Sequence, residues 1–232
     1  MLRYPPRRRC MGQPPRLKAL IFDFDGTLAV PTLDFALMRR KMLESVSCYM
    51  EGRDIPLESD LPSMEELARI TRLLPPAKVV RAREAAFAAI EAVEVEAASR
   101  SALFSFVRPM LAALRACDIG FGIITRNCPA AVLTVFPDVR EHTACFLTRD
   151  DVPRVKPDPD HLLHALNLLG VRPEEAMTVG DHPMDIQVGK KVGAFTAGTA
   201  SGESSLELLA AEKPDYLALD GKDLLRQLEI LF

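Results

Sequence analysis

The run Ala19-Leu20-Ile21-Phe22 ends in two carboxylates, Asp23 and Asp25, with Phe24 between them and Gly26-Thr27 behind. An unbroken apolar run closed by acids reads as a strand buried on both faces, as in a parallel sheet. The carboxyl ends of such strands are where open α/β sheets bind ligands. Two ionised carboxylates this close repel unless a cation lies between them or one stays protonated. The pair therefore calls for a hard divalent cation, an acid/base couple, or both. Gly26 lets the backbone leave the strand sharply, and the Thr27 hydroxyl can orient a carboxylate.

Downstream the texture changes twice. Phe35, Met38, Met42, Val46 and Tyr49 recur at three- and four-residue spacing, one face of an amphipathic helix. Glu51 to Asp60 reads as a loop punctuated by Gly52 and Pro56. Ser63 with Glu66 forms a capping-box pattern for a helix that stops at Pro75-Pro76. A longer helix follows, from about Ala77 to Ser101, with Val80, Phe87, Ile90 and Ala97 on its apolar side. From Phe104 onward helices alternate with short apolar strands at Gly120–Thr125, Cys145–Thr148, Met177–Val179, Ala194–Gly198 and Tyr216–Leu219. Alternation of this kind predicts right-handed crossovers. The expected fold is therefore α/β, a doubly wound, mostly parallel sheet, with residues 17–31 and 102–232 forming the core and 32–101 an inserted all-helical domain.

Composition removes several classes of function. The 232 residues are 48% hydrophobic and carry a net charge of only −3, which leaves no nucleic-acid footprint. No apolar stretch is long enough for a membrane span. Cys10, Cys48, Cys117, Cys128 and Cys145 are odd in number and contain no C-x-x-C pair, so neither a disulfide framework nor a zinc site is expected, and a cytoplasmic location is. Residues 1–16 hold five arginines, four prolines and no acid. Their prolines and lack of serine fit a disordered extension better than an organellar targeting helix, which is kept as the alternative.

Three later segments also end in polar residues at or just after expected strand ends: Thr125-Arg126-Asn127 closing GFGIIT, Lys156 in VKPDP, and Asp181 with Asp185 in VGDHPMD. Together with DFDGT, and in this order, they resemble the four motifs of the haloacid dehalogenase superfamily, whose members mostly transfer phosphoryl groups through an aspartyl-phosphate. The resemblance extends over residues 19–185, and the helical insert falls where that superfamily carries a type 1 cap. It implies Asp23 as nucleophile, Thr125 as a phosphoryl-oxygen ligand and Lys156 as a balancing charge. It also implies magnesium, held by the Asp23 and Asp181 carboxylates and the Asp25 carbonyl, with Asp185 direct or through water. Asn127, Gly26, Thr27 and the backbone after Asp23 would hold the remaining phosphoryl oxygens.

Asp25 is suited to give a proton to a leaving alkoxide and later take one from water. Relatives that break carbon–halogen bonds lack an acid there as a rule, so the resemblance points to a phosphatase acting on a small phosphorylated metabolite, closest to phosphoglycolate phosphatases, as a monomer or homodimer. A β-phosphoglucomutase-like mutase, a phosphonoacetaldehyde-hydrolase-like enzyme and an inactive binding module are the alternatives. The second of these needs an activated lysine, and Lys41 and Lys78 are the only two in the insert. Arg53 and Arg126 are expected to meet an anionic leaving group. The remaining arginines of the insert, Arg39 and Arg69 among them, are read as solvated, and His161 and His164 as helix-surface residues.

Overall fold

A computed structural model describes residues 17–51 and 61–230; Arg53 and the basic extension lie outside the described residues. The chain divides into two compact units, Met1–Pro31 with Ser101–Phe232, and Thr32–Arg100. In chain order, β1 (Ala19–Phe22) is followed by the helical unit's α1 (Phe35–Ser47), α2 (Ser63–Thr71) and α3 (Pro76–Ala98). The larger unit then continues through α4 (Val107–Ala116), β2 (Gly120–Ile124), α5 (Pro129–Val135), α6 (Val139–His142), β3 (Cys145–Leu147), α7 (Pro159–Leu169), β4 (Ala176–Gly180), α8 (Pro183–Val192), β5 (Phe195–Thr199), α9 (Leu206–Ala211), β6 (Tyr216–Ala218) and α10 (Gly221–Gln227).

The six strands are parallel, in the order β3-β2-β1-β4-β5-β6. The mostly parallel, doubly wound α/β sheet expected from the sequence is present. Alternate residues of β1 feed opposite layers. Leu20 and Phe22 join Phe121, Ile123, Met177 and Val179 against the Val107, Met110 and Leu114 face of α4 and Leu224 of α10. Ala19 and Ile21 join Leu147, Leu162 and Leu166 of α7 and Val188 and Val192 of α8 on the other side. Burial on both faces is what the unbroken apolar run required.

The chain winds outward from β1 through β2 to β3, then returns to β4 on the other flank of β1. That reversal is the topological switch point, where the connections leave in opposite directions and open a crevice beyond the strand ends. Phe22 aligns with Ile123 of β2 and Val179 of β4. The residues just after these three strands, Asp23, Thr125 and Asp181, therefore share one edge.

The helical unit has its own apolar centre, with Met38, Met42 and Val46 of α1 against Ile70 of α2 and Ala82, Ala86 and Ile90 of α3. Three expectations fail here. Ser63 does not cap α2: Pro62 occupies that position and no side-chain cap forms. Glu66 instead is fully buried and takes two hydrogen bonds from Arg39, at 2.6 and 2.7 Å, with Arg69 3.8 Å away. Arg39 and Arg69 are thus held at a buried carboxylate rather than solvated. Val80 is 64% exposed, because the buried stripe of α3 runs through Ala82, Ala86, Ile90 and Val93. Among the described residues, no helix is long and apolar enough to cross a membrane.

Candidate active site

Asp23 leaves β1 with its N–H bonded to the Val179 carbonyl at 2.8 Å, which continues the strand pairing one residue past β1. The chain then folds into a tight loop in which the Phe24 carbonyl accepts the N–H groups of Thr27, Leu28 and Ala29. Gly26 adopts φ 74°, and a Cβ there would stand 2.5 Å from Asp181 Oδ2, so both its conformation and its surroundings exclude a side chain. This loop holds Asp23 and Asp25 at the switch point.

Lys156 is the charge centre. Its side chain is 1% exposed, and its Nζ lies 2.6 Å from Asp23 Oδ1 and 2.7 Å from Asp185 Oδ1. Burial alone works to lower the Lys156 pKa, but Asp185 and Asp23 outweigh it and raise the value above the ordinary lysine range. The ammonium is therefore charged wherever the protein is folded near neutrality. Asp23 Oδ1 also accepts the Phe24 N–H at 2.7 Å. Asp23 Oδ2 has no hydrogen-bond partner among the described residues.

Asp23, Asp181 and Asp185 offer carboxylate oxygens that all lie within 4.8 Å of one another. Thr27 donates its hydroxyl to Asp181 Oδ1 at 3.1 Å, and the Glu203 N–H reaches Asp181 Oδ2 at 3.1 Å. Asp185, at the start of α8, accepts the His182 N–H on Oδ2 at 3.2 Å. Burial, followed by the charge of Asp23, drives the Asp181 carboxyl above the usual carboxylate range. Burial does the same to Asp185, with Lys156 pulling down and Asp23 pushing up. Three converging acids, two of them reluctant to ionise together, form an oxygen-only donor set. That chemistry fits a hard divalent cation such as magnesium.

Of the polar residues after β2, Asn127 turns toward Asp25. Asn127 donates from Nδ2 to Asp25 Oδ2 at 2.9 Å, while its Oδ1 accepts the Cys128 N–H. Thr125 is buried, and its hydroxyl oxygen accepts the Asn127 N–H at 3.0 Å, which keeps the hydroxyl proton available to an incoming oxygen. Asn127 and Thr27, expected to hold phosphoryl oxygens, each give one hydrogen bond to a site carboxylate, Asp25 and Asp181, and the second Nδ2 hydrogen of Asn127 is not used in that bond. The Gly26 N–H is likewise taken by the Ala29 carbonyl, and the Thr27 N–H by Phe24. Arg126 is half-buried, with Nη1 3.5 Å from Met184 Sδ.

Several contributors were invisible to sequence reading. The turn after β5 places the Ser201 hydroxyl on the Gly26 carbonyl at 2.7 Å, and Gly202 so close to Asp181 that a Cβ would overlap its carboxylate. Arg149, buried just beyond β3, donates from Nη1 to the Arg126 carbonyl at 3.2 Å and so braces the Arg126–Asn127 segment. His161 is fully buried, contrary to its reading as a surface residue, with Nδ1 accepting the Lys156 N–H at 3.3 Å. An imidazole at the third position of a helix carries no burial signal of its own; only its spacing to Lys156 in the fold reveals it.

Comparisons with known proteins point to one family. A family model described as haloacid dehalogenase-like hydrolase matches residues 20–199. A haloacid dehalogenase-like hydrolase domain-containing protein of Arabidopsis thaliana is 31% identical over 184 residues, covering 78% of this chain and 70% of that protein. A phosphoglycolate phosphatase of Salmonella typhi is 28% identical over 73% of this chain, which spans 62% of that protein's length. A hydrolase from Pseudomonas syringae superposes with a TM-score of 0.70 at 21% identity, covering 91% of this chain and 98% of that one, a likeness of fold. With the motif residues gathered at one switch point and the family match running across most of the chain, this protein belongs to the haloacid dehalogenase-like hydrolases.

Proposed function

We propose that the protein is a magnesium-dependent phosphatase that hydrolyses a small phosphate monoester through an aspartyl-phosphate on Asp23. The observation that carries the reading is the asymmetry of the Asp23 carboxylate. One oxygen is fixed by Lys156 and the Phe24 N–H, and the other carries no hydrogen bond that attack would have to break. The names of relatives such as the Salmonella typhi phosphoglycolate phosphatase support the substrate class.

In the first half-reaction Asp23 Oδ2 attacks phosphorus, the bond from phosphorus to the ester oxygen breaks, and the departing alkoxide takes the proton of Asp25. In the second, water attacks the phosphorus of the aspartyl-phosphate and gives its proton to Asp25. The bond to Asp23 breaks, and inorganic phosphate leaves. Asn127 orients Asp25 for both transfers through its 2.9 Å hydrogen bond. Lys156 offsets the charge of the phosphoryl group as it approaches Asp23, and the Thr125 hydroxyl donates to one of its oxygens. Asp23, Asp181 and Asp185 would hold magnesium, with the Asp25 carbonyl as a further ligand. When bound, the ion supplies positive charge that offsets the repulsion between the ester dianion and the carboxylate.

The lysine needed by a phosphonoacetaldehyde-hydrolase-like reaction has no support. Lys41 Nζ lies 3.2 Å from Glu44 and Lys78 is ion-paired with Glu51, so each is engaged with a carboxylate of the helical unit. The test is a panel of phosphate monoesters incubated with magnesium, with release of inorganic phosphate as the readout and borohydride trapping of any acyl-phosphate followed by peptide mass analysis. The expected result is turnover with the reduced adduct on Asp23. Turnover without an adduct on Asp23, under conditions where intermediate accumulates, would overturn the covalent route.

A further inference from the structure

We infer that His161 is a positioning residue for Lys156, a neutral imidazole whose Nδ1 fixes the Lys156 backbone so that its Nζ reaches Asp23 and Asp185 together. The inference deepens the phosphatase reading and rests on it for the role of Lys156.

His161 is fully buried near the start of α7, where Asp158 caps the helix by accepting the Asp160 N–H at 3.0 Å. Its Nδ1 accepts the N–H of Lys156 at 3.3 Å, so Nδ1 carries no proton and the ring is the Nε2–H tautomer. Nε2 is buried and has no hydrogen-bond partner; the Leu147 carbonyl is an electrostatic neighbour, but it does not reach Nε2 in hydrogen-bond geometry. A leucine here would spare that unpartnered donor, so the imidazole contributes through its acceptor side, and the group served there is Lys156.

The ring is held neutral by its surroundings. Burial and the Lys156 ammonium push its pKa down to about 4, so the acceptor persists at neutral pH. The geometric demand is strict, because Nζ must satisfy two carboxylates at 2.6 and 2.7 Å from a side chain with four rotatable bonds. Anchoring the backbone N–H removes one source of misplacement, and small errors in placing a charge cost rate.

The test compares His161→Leu, which removes the acceptor while filling the space, with His161→Asn, whose carbonyl can occupy the place of Nδ1. Should the leucine variant not fold, His161→Gln replaces it, since its carbonyl reaches the place of Nε2 instead. Amide hydrogen exchange at Lys156 is read by NMR, and kcat and KM are measured with p-nitrophenyl phosphate and magnesium on protein corrected for its folded fraction. Expected for leucine or glutamine are faster exchange at Lys156 and a fall in kcat of about tenfold, the worth of roughly one hydrogen bond, with little change in KM. Asparagine should restore both. Wild-type exchange and kcat in the leucine or glutamine variant, or equal losses in the asparagine variant, would overturn the inference. If the wild type turns over no phosphate ester, the phosphatase reading fails, and the exchange comparison still decides the positioning role.

Discussion

Asn127 donates its side-chain amide to Asp25 Oδ2 across 102 residues of sequence, at 2.9 Å. The bond joins the loop after β1 to the loop after β2 and gives Asp25, the proposed acid/base group, a fixed partner. A residue that orients Asp25 affects the proton transfers, so its loss is expected to track leaving-group basicity. For Asn127→Ala we expect kcat on an alkyl phosphate to fall about 10²-fold, toward the lower end of what general acid–base help supplies. Phosphorylation by an aryl phosphate, whose leaving group departs without a proton, should fall much less. A burst experiment with both substrates checks this, and equal losses would return Asn127 to direct phosphoryl binding.

The two motif acids should be separable. Asp23→Asn removes the nucleophile and a cation ligand while leaving the buried strand intact, so turnover should vanish with the fold retained by circular dichroism. Asp25→Asn should cost about 10²–10⁴-fold in overall turnover. With an aryl phosphate the first half-reaction should survive, and the aspartyl-phosphate should accumulate because no base remains to take the proton of water. Full-rate hydrolysis of that intermediate would assign the base elsewhere.

Strand ends and motif residues were legible because buried parallel strands announce themselves as apolar runs and because Asp23, Lys156 and Asp181 carry their chemistry in side chains. The turn at Ser201–Glu203 was not, since it acts through backbone groups and through the absence of a side chain at Gly202. Glu66 misled for another reason. Its spacing from Ser63 is that of a capping box, but a partner 27 residues away, Arg39, competes for the carboxylate and wins in the packed helical unit. Local pattern predicts local bonds; here the tertiary contact overrides it.

Metal and pH should be linked through the same acids. In metal-free protein Asp181 and Asp185 have raised pKa values, so the folded state holds protons that the unfolded chain releases. Their contribution to stability is present at and below about pH 4, the free carboxylate value, and is lost as the pH rises toward neutrality. His161, pushed down to about 4, contributes the opposite slope over an overlapping range. Magnesium should act on the carboxylates and leave His161 untouched. The gain in Tm on adding magnesium is therefore expected to grow from pH 5 to pH 7.5, read by thermal unfolding against an EDTA control. A gain independent of pH would show that these acids do not hold the ion. Calcium, with its higher and looser coordination, should bind and stabilise yet inhibit turnover.

Gly202 offers the sharpest test of the part played by the turn after β5. A Cβ at this position would overlap the Asp181 carboxylate, and the neighbouring Glu203 N–H donates to Asp181 Oδ2 at 3.1 Å. Gly202→Ala must therefore shift the turn or rotate the carboxylate, and either movement weakens that hydrogen bond. Partners that orient a metal ligand are typically worth about 10–100-fold in affinity. The variant should need about tenfold more magnesium for half-maximal activity, with kcat at saturating magnesium much closer to wild type. Its Tm without metal should fall, because the turn or the carboxylate must move and a hydrogen bond to the buried Asp181 weakens. A magnesium titration by activity and by Tm separates these effects. An unchanged midpoint in both would mean that Asp181 is not a ligand, and the metal reading would then rest on Asp23 and Asp185 alone.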